Sequence, residues 1–433
     1  WWVNHENNWN QVCHGGLVQA ALALGEEAPD ISEKILRSAK DNYHAGVSVY
    51  KPNGVYPEGP GYWNYGTSYS IFMASALLSA TGDDWGLLST PGFKKGFEYR
   101  IHVESPAGKV VNYSDGSERT GSSPYHMFMA GQLNKPEYAS FAMDGLKKDM
   151  KRLSASRSKE GKISRLFPLA IAWYTPIRGE AKNKLDFFAG EGSQVHLGIM
   201  RSAWNDDNAL FASLKGGNMT VGHGHLDAGT FLVDWGGHRW ASEFSSEKEI
   251  YDRHGTWSMA QDSERWKFFR VNNHGHNTIT IDNKIHRVEG KAPLIAHCDG
   301  DSPFAVMNLS AAFKGQATKV LRGLRMPCRQ SVWVQDEITG VREGKSIRWN
   351  MITQAVVDLS EDKKTAFLKI DNKIMKVNLL SPSYAIFSTR DATTDFKEEN
   401  QNVGYRRLII EFPSPGKDVT IVTHFVPNDE KLK

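Results

Sequence analysis

The spacing of apolar residues changes once along the chain, and this change limits the possible folds more than any other feature. Up to about Trp173, apolar residues recur every three or four positions, as in amphipathic helices. From Gly190 onward, β-branched and aromatic runs of period two are bounded by turn residues. Helices followed by strands predict an α+β multidomain protein, because a parallel sheet would need the two kinds of element to alternate.

The first part of the chain is predicted to be a helical toroid or array. Connections rich in Gly, Pro and Asn separate its helices, which favours antiparallel neighbours whose loops meet at one end. The predicted helices are Gly16–Leu24, Ile31–Tyr43, Thr67–Ala80, Ser123–Leu133, Phe141–Leu153 and Ile163–Trp173.

The second part is predicted to be an antiparallel β-sandwich or β-sheet domain, since its strands follow one another without helices between them. The predicted strands are Gln194–Arg201, Ala209–Leu214, Gly229–Trp235, Asn277–Ile281, Ser331–Ile338, Ser346–Thr353, Ala366–Ile370, Lys373–Leu380, Arg406–Phe412 and Val419–Phe425.

These patterns divide the chain into a helical domain at 1–175, a linker at 176–189 and a β domain at 190–433. The linker is predicted because Pro176, Gly179 and the polar run 180–184 interrupt the helical pattern. The first ten residues, WWVNHENNWN, are typical of the interior of a domain, so we expect further sequence upstream.

Composition excludes several classes of protein. With 52 basic and 49 acidic residues, the net charge of +3 gives no nucleic-acid footprint. No stretch approaches the roughly 20 consecutive apolar residues that span a bilayer. The three cysteines, Cys13, Cys298 and Cys328, are too scattered for a disulfide scaffold or a thiolate metal site. The 13 Trp, 14 Tyr and 39 Gly suit an open groove on which sugar rings stack.

Asn7-Asn8-Trp9-Asn10 is the first of three clusters that could carry chemistry. An asparagine here could simply cap the helix that follows. Three amides and an indole within four residues exceed what a cap needs, and amides can bind a carboxylate without carrying charge. Both interpretations stay open.

The second cluster is the aromatic stretch from Tyr56 to Gly66, just before the helix predicted from Thr67. It could be a packed turn whose tyrosine rings fill the core. Alternatively, Tyr65 would lie at the start of that helix, where the positive end of the helix dipole favours phenolate and makes tyrosine a better base.

The third cluster is Gly222-His223-Gly224-His225-Leu226-Asp227, with Glu243 and the His274-Gly275-His276 segment further on. In an extended chain, His223, His225 and Asp227 share one face. Two imidazoles and a carboxylate on one face indicate a metal site or a general acid–base site. A buried polar core of so many histidines would be costly without a function.

Together the three clusters resemble the heparinase II/III superfamily of polysaccharide lyases, which includes several alginate lyases. Four motifs stand in the family's order: the Asn-Asn pair, Y-P-E-G-x-x-Y-x-x-Y from Tyr56, G-H-x-H-x-D from Gly222, and H-N-T from His276. The resemblance covers nearly the whole chain and implies an incomplete (α/α) toroid followed by antiparallel β-sheets. The change of period predicts the same order of elements independently.

The resemblance implies a lyase that cleaves 4-linked uronic-acid polysaccharide by β-elimination, removing the C5 proton, expelling the C4 oxygen and leaving an unsaturated uronate. In this interpretation Asn8 neutralises the substrate carboxylate, and Tyr65 is the acid and a candidate for the base. His223 is the base or a partner of the carboxylate. The residues implied to contact substrate are Trp9, Tyr62, Trp63, Tyr251 and Glu58, of which Glu58 mainly fixes its loop.

The resemblance also implies a structural zinc ion bound by His225, Glu243 and His276, a set of N and O ligands that suits zinc. Relatives more often have Asp at the position of Glu243, and His274 is a rival to His276. Many relatives also carry His directly after the Asn pair, where this chain has Trp9, which implies a narrower set of linkages.

Three other functions remain open. A glycoside hydrolase would use two carboxylates across the scissile bond, such as Glu58 and Asp227. A uronyl C5-epimerase would return the proton to the sugar, and a carbohydrate-binding protein would use the aromatics without turnover. The expected partner in every case is an anionic uronate polysaccharide or oligosaccharide, which implies a periplasmic or secreted protein. The sequence indicates neither the polysaccharide nor the oligomeric state.

Overall fold

The computed structural model describes residues 1–155, 166–177, 179–247, 250–251, 255–394 and 396–428. The chain divides into two compact units. The first unit consists of Trp1–Tyr56, Pro60–Ile101 and Arg119–Lys184, and the second of Pro57–Gly59, His102–Glu118 and Leu185–Lys433. The two units are not continuous stretches of the chain as predicted, because 57–59 and 102–118 group with the β part.

The first unit is helical, as its period predicts. Asn7 caps the first helix by accepting a hydrogen bond from the backbone N–H of Trp9 at 3.1 Å, and Pro29 begins the second, where no N–H donor is needed. The helices are α1 (Asn8–Ala23), α2 (Pro29–Val47), α3 (Gly59–Thr81), α4 (Phe93–His102), α5 (Tyr125–Leu133), α6 (Pro136–Ala155) and α7 (Phe167–Ala172).

All six predicted helices have counterparts, and the sequence reading missed α4. Residues 163–165 of the last predicted helix lie outside the described residues, and α7 covers its later part. In α4, Phe93 and Phe97 are buried one turn apart, but Lys94, Lys95 and Gly96 between them obscure the apolar spacing.

The second unit is built from antiparallel strands, which confirms the predicted α-then-β fold class. The strands are β1 (Asp186–Ala189), β2 (Val195–Arg201), β3 (Phe211–Gly217), β4 (Phe231–Trp235), β5 (His238–Ala241), β6 (Ile279–Ile281), β7 (Leu294–Cys298), β8 (Phe304–Asn308), β9 (Lys319–Arg325), β10 (Val332–Thr339), β11 (Ser346–Thr353), β12 (Val356–Leu359), β13 (Thr365–Ile370), β14 (Lys373–Ser381), β15 (Phe387–Asp391), β16 (Arg406–Pro413) and β17 (Val419–Asn428).

These strands form three sheets among the described residues, of five, eight and four strands. Their orders are β1-β2-β3-β4-β5, then β12-β13-β14-β17-β10-β9-β8-β7, and β15-β16-β11-β6. The first two sheets contact each other where Gly198 in β2 packs so closely on Ala305 in β8 that an added Cβ would lie 2.5 Å from the alanine side chain. Glycine is required at position 198 because the two sheets leave no room for a side chain there.

A buried ion pair fixes the connections that carry the histidine motifs. Arg322 in β9 binds Asp336 in β10 through two hydrogen bonds of 2.7 and 2.9 Å. The same guanidinium donates to the carbonyls of Gly229, at 2.8 Å, and of Asn277, at 2.6 Å. Both carbonyls lie close in sequence to the motif histidines, so this pair anchors two loops at once.

In the part of the chain that the structure describes, no helix combines the length and the apolar character needed to cross a membrane.

Candidate functional site

The G-H-x-H-x-D segment is a tight, turn-rich connection between β3 and β4, so the predicted extended conformation is wrong. His223 has a φ of +56°, in the left-handed region that residues other than glycine rarely adopt. A Cβ on Gly224 would lie 2.0 Å from the Met219 carbonyl oxygen, and Arg265 donates two hydrogen bonds to the Gly224 carbonyl. Glycine at this position therefore allows the backbone of the loop to approach itself more closely than it would in an ordinary strand.

Asp115 brings the two motif histidines together. Its Oδ2 lies 2.8 Å from His223 Nδ1 and its Oδ1 lies 2.9 Å from His225 Nε2, while Arg265 Nη2 lies 4.0 Å away. Burial alone would raise the pKa of Asp115, but hydrogen bonds with both histidines and the charge of Arg265 hold it well below its usual range. The carboxylate is thus charged and orients both imidazoles.

Sequence reasoning missed Asp115. The only local signal is Asp115-Gly116, which is also an ordinary turn dipeptide. In the described part of the protein Asp227 forms no hydrogen bond with His223 or His225, contrary to the predicted common face. It is fully buried and forms an ion pair with Lys215, because the turn at Gly224 ends the period of two on which the prediction rested.

His223 is held along one edge of its ring, and the other edge faces a carboxyl group. The Tyr251 hydroxyl lies 2.7 Å from Nδ1, and Glu58 Oε2 lies 3.7 Å from Nε2. A neutral ring that donates from Nδ1 to the charged Asp115 carboxylate has its lone pair on Nε2. The side chain is 20% exposed, and the Trp257 ring packs edge-on against it at 5.8 Å between centroids.

Glu58 belongs to the same unit as His223 and is buried next to it. A Cβ on Gly222 would lie 3.0 Å from the Glu58 carboxyl carbon, so the glycine makes room for this approach. Burial raises the pKa of Glu58, the nearby His223 opposes that shift, and the Asp115 charge reinforces it. A carboxyl with a raised pKa keeps its proton to a higher pH than an exposed glutamate does.

A second histidine–carboxylate pair, His276 and Glu243, is more deeply buried than His223. Glu243 Oε1 lies 2.6 Å from His276 Nδ1, its Oε2 accepts from the Thr230 hydroxyl at 2.6 Å, and Oε1 also accepts from the Phe244 N–H at 2.9 Å. Burial would lower the pKa of His276, but the Glu243 charge and hydrogen bond outweigh it and raise it. The His225 ring lies 5.3 Å from the His276 ring, centroid to centroid.

The donor types of this cluster fit zinc, but their arrangement does not form the predicted three-ligand set. Two buried imidazole nitrogens, His225 Nδ1 and His276 Nε2, have no hydrogen-bond partner in the described part of the protein. Glu243, however, faces His276 Nδ1, on the other side of the ring. Among the described residues, no group of three His, Cys, Asp or Glu side chains is placed to hold a metal ion.

The first cluster lies in the first unit, and the capping role that Asn8 or Asn10 could have had belongs to Asn7. Neither Asn8 nor Asn10 caps α1, because Asn7 does. Asn10 donates to the carbonyls of Val3 at 2.7 Å and of Asn42 at 3.1 Å, which ties α1 to α2. Asn8 is buried in the first helical turn, and Trp9 is about half exposed.

The aromatic cluster is helical, which corrects the predicted placement of Tyr65. Helix α3 begins at Gly59, so Tyr65 lies in its second turn and not at the helix start, although 40% of the residue is exposed. Trp63 is fully buried against the rings of Phe97 and Tyr125. It therefore does not serve as a wall of a sugar subsite, whereas Tyr62 is half-buried.

The structure thus places the predicted residues in two groups. Within the second unit it brings together Glu58, His223, His225, Glu243, Tyr251 and His276. Asn8, Trp9, Tyr62, Trp63 and Tyr65 belong to the first unit.

Similar structures share this fold. A heparan sulfate lyase mutant from Pedobacter heparinus matches with a TM-score of 0.67 and 15% identity, over 95% of this chain and 59% of its own. A heparinase III matches with a TM-score of 0.67 and 12% identity, over 98% and 62%. A heparinase III with methylated lysines matches with a TM-score of 0.65 and 16% identity, over 96% and 59%. The chain spans about three-fifths of these proteins.

No curated protein matches the sequence. The sequence profile described as heparinase II/III-like, C-terminal, matches residues 191–422. That segment includes both histidine motifs and is more than half of the 433 residues. The chain belongs to the heparinase II/III-like family, as its motifs predict.

Proposed function

We propose that the protein is a polysaccharide lyase that cleaves 4-linked uronic-acid polysaccharide by β-elimination. The observation that carries the proposal is the arrangement of Asp115 and Glu58 around His223, on the glycine-flanked loop of a heparinase II/III-like chain. It offers one partly exposed imidazole whose Nδ1 is fixed by a charged carboxylate and whose Nε2 lies 3.7 Å from the Glu58 carboxyl group.

The reaction needs three things from the protein. The C5 proton is weakly acidic while the adjacent carboxylate is charged, so that charge must be neutralised. A base must accept the proton, and an acid must protonate the leaving oxygen. In the proposal, Asn8 binds the substrate carboxylate through its amide, without adding a charge of its own.

His223 accepts the C5 proton at Nε2, or contacts the carboxylate in substrates of the other C5 configuration. The C5–H electron pair forms the C4=C5 double bond, the C4–O bond breaks, and the departing oxygen takes the hydroxyl proton of Tyr65. Asp115 stabilises the imidazolium that forms when His223 is the base. Glu58, with its raised pKa, keeps its proton to a higher pH than an ordinary glutamate beside the anionic sugar.

A glycosaminoglycan is the favoured substrate class, because two of the similar structures are a heparan sulfate lyase and a heparinase III. Alginate is the alternative. Because the substrate is a polymer outside the cell, the proposal places the protein in the periplasm or the medium. The hydrolase alternative loses support, since Asp227 is buried in an ion pair with Lys215 and cannot flank a glycosidic bond.

The test is to incubate the full chain with a panel of uronate polysaccharides and to follow near-ultraviolet absorbance of the unsaturated product. We expect absorbance with wild type and loss of about 10²–10⁴-fold in kcat for Tyr65→Phe, with Tyr69→Phe, one turn along α3, as the matched control. New reducing ends without absorbance would indicate a hydrolase. Deuterium exchange at C5 without cleavage would indicate an epimerase, and binding alone a carbohydrate-binding protein.

We further propose that zinc binds at the His225, Glu243 and His276 cluster and stabilises the second unit, with the two unpartnered imidazole nitrogens as its nitrogen ligands. Glu243, which lies at His276 Nδ1, would orient that ligand from the far side of its ring. When bound, zinc would supply coordination that ties the two loops together. His225→Ala should lower zinc content and thermal stability together, whereas His238→Ala should change neither. Elemental analysis that finds no zinc in the untouched protein would contradict this.

A further inference from the structure

Three arginines share one face of the four-stranded sheet. In this antiparallel sheet, Arg348 in β11 lies opposite Glu411 in β16, and Arg407 in β16 lies opposite Arg390 in β15. Residues directly opposite each other point to the same side, and like charges in such positions repel. We call Arg348, Arg390, Arg407 and Glu411 the arginine face.

One carboxylate serves two of the three guanidinium groups. Glu411 accepts from Arg348 Nη2 at 2.9 Å and lies 3.6 Å from Arg390 Nη2. Arg407 has no carboxylate within ion-pair distance among the described residues, and its Nε donates to the amide oxygen of Asn350 at 2.8 Å. The face therefore holds an excess of positive charge.

Arg407 is unusually buried for a side chain without an acidic partner. Only 8% of the residue is exposed, and its guanidinium lies over the Phe269 ring at 5.5 Å from the centroid. Arg and other charged residues are rarely buried unless they are paired. A buried cation that contacts an amide and an aromatic ring lacks the counter-ion that such a position needs.

Donor groups on the face also lack acceptors. Arg407 Nη2 and Arg348 Nε are buried and make no hydrogen bond in the described part of the chain. Buried polar groups are nearly always hydrogen-bonded in native proteins, so each exception needs an explanation. An acceptor from outside the chain would satisfy both donors.

The pKa of Arg407 agrees with this description. Burial, together with the charges of Arg348 and Arg390, lowers it to about 10, against a smaller opposing effect of Glu411. Repulsion among the guanidinium groups therefore exceeds what one carboxylate offsets. A bound anion would reverse that balance.

We propose that the arginine face binds an oxyanion of the sulfate, phosphate or carboxylate class. Guanidinium groups present planar, paired N–H donors that match the geometry of such oxygens, which a lysine would not. Arg390, whose side chain is 54% exposed, offers the first contact from solvent, and Arg348 and Arg407 lie further in. The anion is either a free ion or a group carried on an acidic oligosaccharide.

The proposal does not depend on the lyase activity, because it is tested by binding. Inorganic sulfate is titrated calorimetrically into wild type, Arg390→Gln and Arg287→Gln, at constant ionic strength in chloride. Arg287 is a partly exposed arginine whose ion pair is with Glu289, so it is a matched control for the loss of one charge. Arg407→Lys keeps the charge but loses the planar donor pair.

We expect sulfate to bind wild type and Arg287→Gln equally, and to bind Arg390→Gln and Arg407→Lys about tenfold more weakly. Equal sulfate affinity in all four proteins, or no heat of binding in wild type, would overturn the proposal. If Arg407→Lys fails to fold, Arg390→Gln decides alone, because its side chain is half exposed. Competition by a sulfated oligosaccharide, but not by its desulfated form, identifies a polymer-borne group as the source; without competition, the free ion is the source.

Discussion

Two histidine–carboxylate pairs of the second unit have similar contacts in opposite surroundings. His223 Nδ1 lies 2.8 Å from Asp115 and His276 Nδ1 lies 2.6 Å from Glu243. One-fifth of the His223 side chain is exposed, whereas His276 is almost completely buried. The same pair of side chains can therefore present a base to a substrate or stabilise a loop, according to what the second ring nitrogen faces.

The two pairs also differ in how their carboxylates are shared. At His276, Glu243 and Asp227 outweigh burial and raise the pKa, which favours an ion pair that is also satisfied by Thr230. At Asp115 the carboxylate is shared between two imidazoles. We call Asp115 and His223 the outer pair, and Glu243 and His276 the inner pair. We infer that the outer pair serves chemistry and the inner pair serves folding, and each prediction below tests that division.

The largest expected effect is on turnover by His223→Ala. Loss of a general base or of its electrostatic partner should lower kcat by about 10²–10⁴-fold, while the unfolding midpoint stays close to that of wild type, because the ring is partly exposed. The measurements are the initial rate of absorbance increase and thermal unfolding by circular dichroism.

The control for this change is His238→Ala. His238 also lies near a carboxylate, with Nε2 3.6 Å from Asp371, but outside the cluster. It should leave both rate and midpoint unchanged. An active His223→Ala enzyme would mean that the outer pair is not catalytic and that the comparison fails.

Asp115→Asn should lower kcat by roughly 10–100-fold with little change in KM. The asparagine amide can donate to His223 Nδ1, which would place the ring proton on Nε2 and remove the lone pair that accepts the C5 proton. Rates over a range of substrate concentrations separate kcat from KM, and nitrogen chemical shifts of labelled histidine report the tautomer.

Glu243→Gln is the matched change at the inner pair. Removing one charge of a buried, hydrogen-bonded pair should lower the free energy of unfolding by about 1–3 kcal/mol, while the folded enzyme keeps its kcat. If Asp115→Asn reduced only stability, or Glu243→Gln reduced only kcat, the roles assigned to the two pairs would be reversed.

The order of elements could be predicted from the sequence because it depends on local period. All ten predicted strands have counterparts, including Ser346–Thr353 as β11. The sequence does not predict strand β9, because the buried side of this strand includes the charged Arg322. The Arg322 side chain can be buried only because it pairs with Asp336 in the next strand. That partner lies in another strand, so local spacing does not reveal it.

The candidate site could be predicted only where its residues lie close together in sequence. The histidine motifs were found, but Asp115 lies 108 residues before His223 and carries no local sign of its role. The predicted start of α3 at Thr67 is too late, because Gly59-Pro60-Gly61 is typical of a loop, although proline is tolerated in the first turn of a helix. That error placed Tyr65 at the helix start and left Trp63 among the exposed aromatics.

The smallest expected effect is a pH dependence of stability at Glu58. Because its folded-state pKa is raised, the folded protein binds more protons than the unfolded chain between the two pKa values. The contribution of Glu58 to stability is therefore fully present below the unfolded pKa and is lost as pH rises through the folded pKa. Glu58→Gln removes this loss, so the variant should gain stability relative to wild type as pH rises from about 4 to 7.

Urea unfolding at both ends of that pH range measures the difference, and Glu361→Gln, at an exposed position, is the control that should show no such trend. A difference between Glu58→Gln and wild type that is constant with pH would mean that burial does not hold a proton on Glu58. The carboxyl would then be charged beside His223 Nε2, and an anionic sugar approaching that edge would meet a negative charge. The outer pair would in that case be no better suited to the proposed substrate than the inner one.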